Sequence, residues 1–210
     1  MILINFASRS RPAKFFECLE NIRANFILPY RVIAKLDTDD PCGTDIYDKV
    51  KNYSEVTVAW GMSQTKIHAI NRDIPNDGWT ILLNHSDDMW FDTYGADVEI
   101  VSQMPADLDA VLHFPDGTRK DLLTYSIIGR KYYDRDGYVY HPDYISLFSD
   151  DEAMTVAQSR GKYIFIDKQI FEHRHPVWQK SAWDRQYREQ AAYFQQDKVT
   201  FERRQLEGFK

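Results

Sequence analysis

The stretch Trp79–Met89 reads Trp-Thr-Ile-Leu-Leu-Asn-His-Ser-Asp-Asp-Met, an apolar run that ends in two adjacent carboxylates. The apolar part predicts a buried strand over Trp79–Asn84. Asp87 and Asp88 follow where that strand leaves the core, and two neighbouring carboxylates repel each other unless a cation neutralises them. We therefore expect a divalent metal at this strand end and a phosphate-bearing ligand beside it. The alternative is a solvated turn or helix cap, where such pairs are also common.

Strand-like and helix-like segments alternate along the chain on both sides of this stretch. The predicted strands are Met1–Phe6, Arg31–Leu36, Glu55–Trp60, Trp79–Asn84 and Asp109–Phe114. The predicted helices begin at Ser10-Arg11-Pro12 and lie near Asp45–Asn52, Ser63–Arg72 and Asp97–Gln103. This alternation predicts an α/β fold with a mostly parallel, doubly wound (Rossmann-like) central sheet and helices on both faces.

The pattern is weaker after residue 115. We expect a strand within Leu122–Gly129, a Tyr-rich loop at Tyr132–Tyr144, a helix at Asp150–Arg160, a strand at Lys162–Ile166 and a loop at His173–Pro176. A charged helix is expected over Gln179–Glu207, with Trp183, Tyr187, Ala191 and Phe194 on one face. The predicted organisation is one domain over residues 1–178 and a helical extension over residues 179–210. That extension could dock on its own domain, pair with another subunit or lie on a membrane surface.

Composition limits the class of protein. The 210 residues are 43% hydrophobic, which is enough for one domain with a substantial core. A net charge of −6 argues against a broad nucleic-acid-binding surface. The two cysteines, Cys18 and Cys42, are too few to staple the chain, which favours a reducing compartment. No signal-peptide layout and no apolar run of about 18 residues is present, so we expect a cytoplasmic protein without a transmembrane segment.

Polar residues follow three of the predicted strands. Ala7-Ser8-Arg9 follow the first strand, Asp37 and Asp39 the second, and Asp87-Asp88 the fourth. In an open α/β sheet ligands bind outside the carboxyl ends of the strands, so these three loops are expected to meet at one crevice. Asp37 and Asp39 could accept hydrogen bonds from a base edge or from ribose hydroxyls, or could belong to an ordinary turn.

The metal prediction rests on Asp88 as the main ligand, with Asp87 beside it. Carboxylate oxygens suit Mg²⁺ or Mn²⁺ better than zinc, and an added imidazole favours Mn²⁺. His173 and His175 are the candidate imidazoles, and the choice between them stays open. Their alternative interpretation is that of two unrelated loop histidines.

A second acidic cluster, Asp150-Asp151-Glu152, begins a predicted helix. A carboxylate held there could remove the proton from an attacking hydroxyl, and Asp151 is the candidate base. The same residues also suit the positive end of the helix dipole. Basic residues that could contact a diphosphate or a base, or could be ordinary surface charges, are Arg9, Arg11 and Lys66. Residues that could line an acceptor pocket are His113, Asp116, Tyr132, Tyr133, Tyr138, Tyr140 and Tyr144.

The order of these motifs resembles the GT-A glycosyltransferases, particularly the family 2-like inverting enzymes. The matching motifs are Ser8–Pro12, Asp37–Asp40, Lys66–Asn71, Asn84–Met89 at the place of the D-x-D metal motif, Ser149–Glu152 at the place of the acidic base motif, and His173–His175. The resemblance covers about residues 1–178. Two positions depart from the family pattern: Ser86 stands where the D-x-D motif has its first aspartate, and Asp150 stands where glutamate is common.

The resemblance implies a metal-dependent, hexosyltransferase-like enzyme that uses Mn²⁺ or Mg²⁺. Its donor would be a nucleoside-diphosphate sugar of the UDP or GDP type, and its acceptor a hydroxyl of a glycan, lipid or protein, with inversion at the sugar. The family pattern assigns Arg9 and Asp39 to the nucleotide, Lys66 to the base or diphosphate, Asp88 to the metal and Asp151, or its neighbour Asp150, to the general base.

Two other classes of protein remain as alternatives. A nucleotidyltransferase that makes a nucleotide sugar would also use a metal and an α/β sheet, but the chain has no Gly-rich phosphate loop. A non-catalytic module of the same fold could keep the nucleotide crevice and lack turnover, and the serine at position 86 is the feature that suggests it.

Overall fold

The computed structural model describes residues 1–210 as a seven-stranded sheet, a two-stranded ribbon and surrounding helices. The strands are β1 (Ile2–Ala7), β2 (Tyr30–Asp37), β3 (Val56–Gly61), β4 (Ile81–His85), β5 (Met89–Phe91), β6 (Val111–His113), β7 (Ile127–Gly129), β8 (Tyr163–Phe165) and β9 (Phe171–His173). The α-helices are α1 (Pro12–Asn25), α2 (Gly43–Val50), α3 (Lys66–Asn71), α4 (Ala96–Gln103), α5 (Arg130–Asp136), α6 (Ser149–Ser159), α7 (Arg185–Ala191) and α8 (Phe194–Leu206). None of them is both long and apolar enough to cross a membrane.

The main sheet has the strand order β3-β2-β1-β4-β7-β6-β8. The four strands from β3 to β4 are mutually parallel, whereas β7 runs antiparallel to both of its neighbours. β1 lies between β2 and β4 and is covered on both faces, which explains why its sequence is an almost continuous apolar run. The predicted mostly parallel α/β sheet is confirmed.

Helices cover both faces of this sheet, as predicted for a doubly wound fold. The residues Ile2, Ile4 and Phe6 of β1 face a core that includes the buried sides of α1, α2 and α4. Leu3 faces the opposite way, into a second core with residues of α3, α5 and α6. Alternation along a strand therefore divides the apolar residues of β1 between two layers.

Helix α1 fixes the position of the loop that follows β1. Pro12 begins the helix, where its missing N–H costs nothing. Phe15, Leu19 and Ile22 lie on one face at helical spacing and are 0% exposed. Burial of this face against the sheet holds Arg11, the residue before the helix, at the carboxyl end of β1.

Several boundaries after residue 115 differ from the prediction. The expected Tyr-rich loop at 132–144 begins within α5, which ends at Gly137 in the left-handed conformation (φ 73°) that favours glycine. The strand expected within 122–129 is confined to β7. His173, expected in a loop, is the last residue of β9. Three-residue strands and seven-residue helices contain too few positions for a periodic pattern to identify them.

The helix expected over Gln179–Glu207 is two helices, because α7 ends before α8 begins. Asp184 caps α7 by accepting a hydrogen bond from the Tyr187 amide. Asp197 of α8 is fully buried and accepts hydrogen bonds from the backbone amides of residues 145, 146 and 147. These contacts fold the C-terminal segment back against the rest of the chain.

A buried ion pair also attaches α8. Arg204 is 2% exposed and contacts both carboxylate oxygens of Glu152, which is 4% exposed. We expect Arg204→Met to lower the free energy of unfolding by about 3–5 kcal/mol, because it leaves a buried carboxylate without its charge partner. Chemical denaturation of the variant measures this loss. Arg203→Met is the matched control, since Arg203 pairs with carboxylates at the surface and should change stability little. Equal losses in both variants would contradict this interpretation.

Candidate active site

A cleft of about 480 Å³ lies at the carboxyl ends of β1, β2 and β4. The parallel strands end at the same edge of the sheet, so the loops that follow them meet there, as the sequence predicted. Helix α3, the 145–146 loop and helix α7 form the other walls. Predicted site residues that line this cleft are Ala7, Ser8, Arg9, Asp37, Lys66, Asp87 and Asp88.

The Asp-Asp pair after β4 faces two different sets of partners. Asp87 accepts hydrogen bonds from Ser8 Oγ (3.0 Å) and Arg11 Nη1 (2.8 Å). Asp88 accepts hydrogen bonds from the Ser86 hydroxyl and the Tyr187 hydroxyl, the latter at 3.1 Å from Oδ2. Ser86, which departs from the family's D-x-D pattern, therefore orients the carboxylate two residues later.

The two-stranded ribbon brings His173 to Asp88. β5 begins directly after Asp88, and its antiparallel register pairs Met89 with His173 of β9. His173 Nε2 lies 3.3 Å from Asp88 Oδ2. His175 forms no ion pair with Asp88: its Nδ1 accepts a hydrogen bond from the Val177 amide, and its ring centroid lies 5.3 Å from that of His173. A ligand role for either histidine remains a prediction.

Asp116 holds the other side of the His173 ring. Its side chain is 0% exposed, and its Oδ2 lies 3.5 Å from His173 Nδ1. Asp116 lies just after β6, and its carboxylate accepts hydrogen bonds from the Thr118 and Arg119 amides and from the Thr124 hydroxyl. Carboxylate contact at one ring nitrogen leaves the other nitrogen directed at Asp88, which is the arrangement common around metal-binding histidines.

The charges of Asp88, His173 and Asp116 affect one another strongly, because these side chains are in contact. Burial opposes ionisation of both Asp88 and His173, but their mutual contact outweighs it. The pKa of Asp88 is held well below its usual range by His173 and Ser86, and contacts with Asp116 and Asp88 raise the pKa of His173 to about 9. Burial raises the pKa of Asp87, against the effect of Arg11. The Asp88 carboxylate is therefore ionised at neutral pH.

Arg9 connects the loops after β1 and β2. Its guanidinium contacts both oxygens of Asp39 (2.7 and 2.9 Å) and Oδ2 of Asp37 (3.0 Å). Asp37 also accepts a hydrogen bond from Ser63 Oγ at 2.6 Å. Asp37 is buried at the wall of the cleft, whereas Asp39 is exposed and reaches the site only through Arg9.

Asp150 and Asp151 lie in the first turn of α6. Phe148, which precedes the helix, has φ 61°, an uncommon conformation for a bulky residue that sets the direction of this turn. Burial, and then the charge of Asp150, raises the pKa of Asp151 to about 6. Burial also raises the pKa of Asp150, which is offset in part by the charge of Lys66. Asp150 is therefore close enough to Lys66, a residue that lines the cleft, for the two charges to interact.

The cleft also has walls that the sequence did not predict. Helix α7 forms one of these walls, and Asp184, which caps its start, pairs with Arg11 (2.6 Å) and Lys14 (3.2 Å). The Tyr187 ring stacks on Arg11, with 3.9 Å between the guanidinium carbon and the ring centroid. No periodicity indicates where a helix docks, so Tyr187 appeared in the sequence only as a face residue of a helix. Lys35 also lines the cleft. A lysine inside an apolar strand is a pattern from which this position could have been predicted.

The side-chain oxygen of Asp88 and the ring nitrogen of His173 could both bind a divalent cation. No three acidic, His or Cys side chains converge as a complete metal cage. Asp88 Oδ2 and His173 Nε2 are 3.3 Å apart, close to the separation of about 3 Å between adjacent ligands of an octahedral ion with bonds near 2.1 Å. Two protein ligands at this spacing fit Mg²⁺ or Mn²⁺, which commonly take their other ligands from phosphates and water.

Comparison with known proteins shows the fold. No protein-family model and no curated protein sequence matches the chain. Mannosyltransferase PcManGT from Pyrobaculum calidifontis, in complex with GDP-Man and Mn²⁺, superposes with a TM-score of 0.67 at 11% identity, over 82% of this chain and 56% of that one. S. aureus TarS 1-349, in complex with UDP-GlcNAc, superposes with a TM-score of 0.62 at 14% identity, over 87% of this chain and 61% of that one.

A third structure is of another kind, the 4-diphosphocytidyl-2C-methyl-D-erythritol synthase from Anaerococcus prevotii. It superposes with a TM-score of 0.56 at 8% identity, over 80% of this chain and 87% of that one. At these identities the likeness shows the fold alone. The chain has the GT-A fold, as its sequence predicted, and it spans 56% to 61% of the length of the two glycosyltransferase structures.

Proposed function

We propose that the protein is a metal-dependent glycosyltransferase that moves a sugar from a nucleoside-diphosphate donor to an acceptor hydroxyl, with inversion. The observation that carries this proposal is that Asp88 and Lys66 line one cleft of a GT-A fold and that His173 contacts Asp88. Structures of the same fold hold GDP-Man with Mn²⁺ and UDP-GlcNAc, which supports a nucleotide-sugar donor of the UDP or GDP type. Residues 1–178 would carry the site, and the 179–210 extension would cover it.

The donor's diphosphate would lie between Lys66 and the Asp88–His173 pair. Lys66 lines the cleft and forms no ion pair within the protein, so its ammonium group is available to a phosphate oxygen. A divalent cation held by Asp88 and His173 would neutralise the charge that develops on the departing diphosphate. Ser86 and Asp116 would keep these two side chains in place, because they contact the parts of Asp88 and His173 that face away from one another.

The acceptor would attack from the side of α6. Its hydroxyl oxygen forms a bond to the anomeric carbon while the bond from that carbon to the phosphate oxygen breaks, and the hydroxyl proton passes to Asp151. A carboxylate with its pKa near 6 is ionised at neutral pH and is still basic enough to take a proton in the transition state. Asp150 is the alternative base, since the charge of Lys66, which lines the cleft, acts on its carboxylate.

The direct test is turnover of the donor. The full chain is incubated with a panel of UDP and GDP sugars and Mn²⁺, and release of the nucleoside diphosphate is measured by liquid chromatography with water as the acceptor. The proposal predicts release from at least one donor that stops when EDTA removes the metal. A protein that binds a donor but never cleaves it would be a binding module, and the transferase assignment would be wrong.

The Asp116 contact gives a separate prediction for metal binding. We expect Asp116→Asn to weaken Mn²⁺ binding roughly 10- to 100-fold, because the His173 ring loses the carboxylate that orients it. Electron paramagnetic resonance of free Mn²⁺ measures the affinity without any turnover. Asp121→Asn is the matched control, since Asp121 is an exposed carboxylate that pairs with Arg119. Unchanged Mn²⁺ affinity in Asp116→Asn would remove Asp116 from the metal site.

A nucleotidyltransferase is the second candidate, and the likeness to the Anaerococcus prevotii synthase is the observation that favours it. Such an enzyme would join a nucleoside triphosphate to a sugar phosphate and release pyrophosphate. The loop after β1, Ser8-Arg9-Ser10-Arg11, contains no glycine, so it lacks the flexible phosphate cradle expected for a triphosphate. Pyrophosphate release from a nucleoside triphosphate, without cleavage of any nucleotide sugar, would favour this candidate.

A further inference from the structure

Helix α8 packs against the acidic turn, residues 145–152, which contains Asp150 and Asp151. Four residues of α8 contact this turn, and their spacing of three and four residues places them on one side of the helix: Phe194, Asp197, Phe201 and Arg204. A helix face that packs on a protein is usually apolar. Two of these four positions are charged instead, and Asp197 is 0% exposed and Arg204 2% exposed.

Asp197 holds the backbone just before α6. Its Oδ1 accepts a hydrogen bond from the Ile145 amide at 2.9 Å, and its Oδ2 accepts hydrogen bonds from the Ser146 and Leu147 amides at 2.8 and 2.7 Å. Hydrogen bonds are directional, so a carboxylate that binds three consecutive amides fixes the orientation of their peptide groups. The next residue, Phe148, has a φ of 61°, a conformation that persists only where the surrounding structure holds it.

The other residues of this face hold Phe148 and the first turn of α6. The ring centroid of Phe148 lies 5.2 Å from that of Phe194 and 5.8 Å from that of Phe201. Arg204 Nε and Nη2 donate hydrogen bonds to the two carboxylate oxygens of Glu152 at 2.8 and 2.7 Å. Helix α8 therefore contacts the acidic turn before, at and after Phe148. The two candidate bases lie between the last two of these contacts.

Stability alone does not explain the two buried charges. Burial of a charged group costs free energy, and apolar residues of similar size often pack as well or better. Directional hydrogen bonds to a charged group favour one arrangement of the turn, whereas an apolar contact tolerates small shifts. Small shifts are important beside a reacting group, because a displacement of about 1 Å can lower a rate by roughly 100-fold.

We infer that α8 positions the general base, because Asp197 and Arg204 hold the acidic turn so that the carboxylate of Asp151, or of its neighbour Asp150, meets the acceptor hydroxyl. The inference rests on the proposed function, since it requires a base in this turn. Asp197 and Arg204 do not line the cleft, so they are positioning residues and should not affect the binding of nucleotide or metal.

Asp197→Asn tests this role with a measurement that separates catalysis from binding. Asparagine has only one acceptor oxygen, and its amide group would face an N–H of the turn. We expect kcat for donor cleavage, with water as the acceptor, to fall roughly 10- to 100-fold. The affinities for Mn²⁺ and for the nucleoside diphosphate, measured by calorimetry, should stay unchanged.

The pH profile of kcat gives a second readout. Burial, and then the charge of Asp150, raises the pKa of Asp151 to about 6, and Arg119 and Asp121 are the other charged side chains that act on it. A turn that is held less tightly exposes Asp151 to more water, which lowers its pKa. In Asp197→Asn the midpoint of the rise in kcat should therefore move from about 6 toward the ordinary value of about 4.

Asp97→Asn is the matched control. Asp97 is also 0% exposed, and its Oδ2 accepts hydrogen bonds from the Ile27 and Leu28 amides. It belongs to α4 and does not line the cleft. The same substitution should therefore lower the free energy of unfolding by a similar amount, while kcat and the pH midpoint stay normal. Each variant is assayed well below its melting temperature.

Arg204→Lys is a milder second variant, which is used if Asp197→Asn does not fold. Lysine keeps the positive charge beside Glu152, but it lacks the planar fork that contacts both carboxylate oxygens. We expect a smaller fall in kcat and a smaller shift of the pH midpoint in the same direction, again with unchanged nucleotide affinity.

The possible results separate the two claims. Absence of donor cleavage by the unaltered protein would overturn the proposed function and this inference with it. Where the unaltered protein cleaves a donor, a normal kcat and pH midpoint in folded Asp197→Asn, or in Arg204→Lys in its place, would overturn only the role of α8. Equal losses of kcat in Asp197→Asn and Asp97→Asn would assign the effect to stability and would also overturn that role.

Discussion

Replacement of Asp88 by asparagine is expected to reduce the rate of nucleotide-sugar cleavage by about three powers of ten. Asparagine keeps the size of the side chain and its one oxygen can still accept the hydrogen bond from either Ser86 or Tyr187, but it removes the negative charge that would bind the cation. Mn²⁺ binding, measured by calorimetry, should be lost together with turnover. Added Mn²⁺ should not restore the rate.

The control for this variant is Asp92→Asn. Asp92 follows β5, is exposed and accepts a hydrogen bond from Gln169. It carries the same charge as Asp88 but does not line the cleft. Its rate and Mn²⁺ affinity should match those of the unaltered protein. An Asp88→Asn protein that binds Mn²⁺ and cleaves donor at the normal rate would rule out Asp88 as the metal ligand.

Replacement of Asp151 by asparagine is expected to lower kcat by about 10²- to 10⁴-fold, because the attacking hydroxyl loses its proton acceptor. Donor affinity should stay unchanged, since Asp151 does not line the nucleotide cleft. Steady-state kinetics and calorimetry with the donor measure the two effects separately. Asp150→Asn is the paired variant, and the larger loss of kcat identifies which carboxylate is the base.

The pH dependence provides a second measurement of this role. Burial and Asp150 raise the pKa of Asp151 to about 6, and a general base acts only in its deprotonated form. The rate should therefore rise as pH increases through about 6 and level off above it. In Asp151→Asn this rise should be absent. A rise with the same midpoint in the Asp151 variant would assign the titration to another group.

Much of the fold could be predicted because strong, long patterns identify long elements. β1, β2 and β4 are buried on both faces, so their sequences are apolar runs that end in polar residues. The carboxyl ends of adjacent parallel strands must meet, which is why the loops at Ser8, Asp37 and Asp87 could be placed at one crevice. The GT-A resemblance then followed from the order of the motifs.

The parts that could not be predicted depend on contacts between segments distant in sequence. The ribbon of β5 and β9 has three residues per strand, yet its register is what places His173 beside Asp88. Helix α7 lines the cleft and contacts Asp88 through Tyr187, and nothing in the sequence of this helix identifies the surface on which it lies. In the sequence Ser86 was only a departure from the D-x-D pattern, whereas in the structure its hydroxyl donates a hydrogen bond to Asp88.

The central claim is that the cleft binds a nucleoside diphosphate together with a divalent cation. Calorimetric titration of UDP and of GDP into the full chain, with Mn²⁺ and then with EDTA in its place, tests it most directly. We predict that at least one of the two nucleotides binds with Mn²⁺ and that its affinity falls sharply in EDTA. Absence of binding by both nucleotides in Mn²⁺ would contradict the claim and leave the acidic residues of the cleft as turn and helix-capping residues.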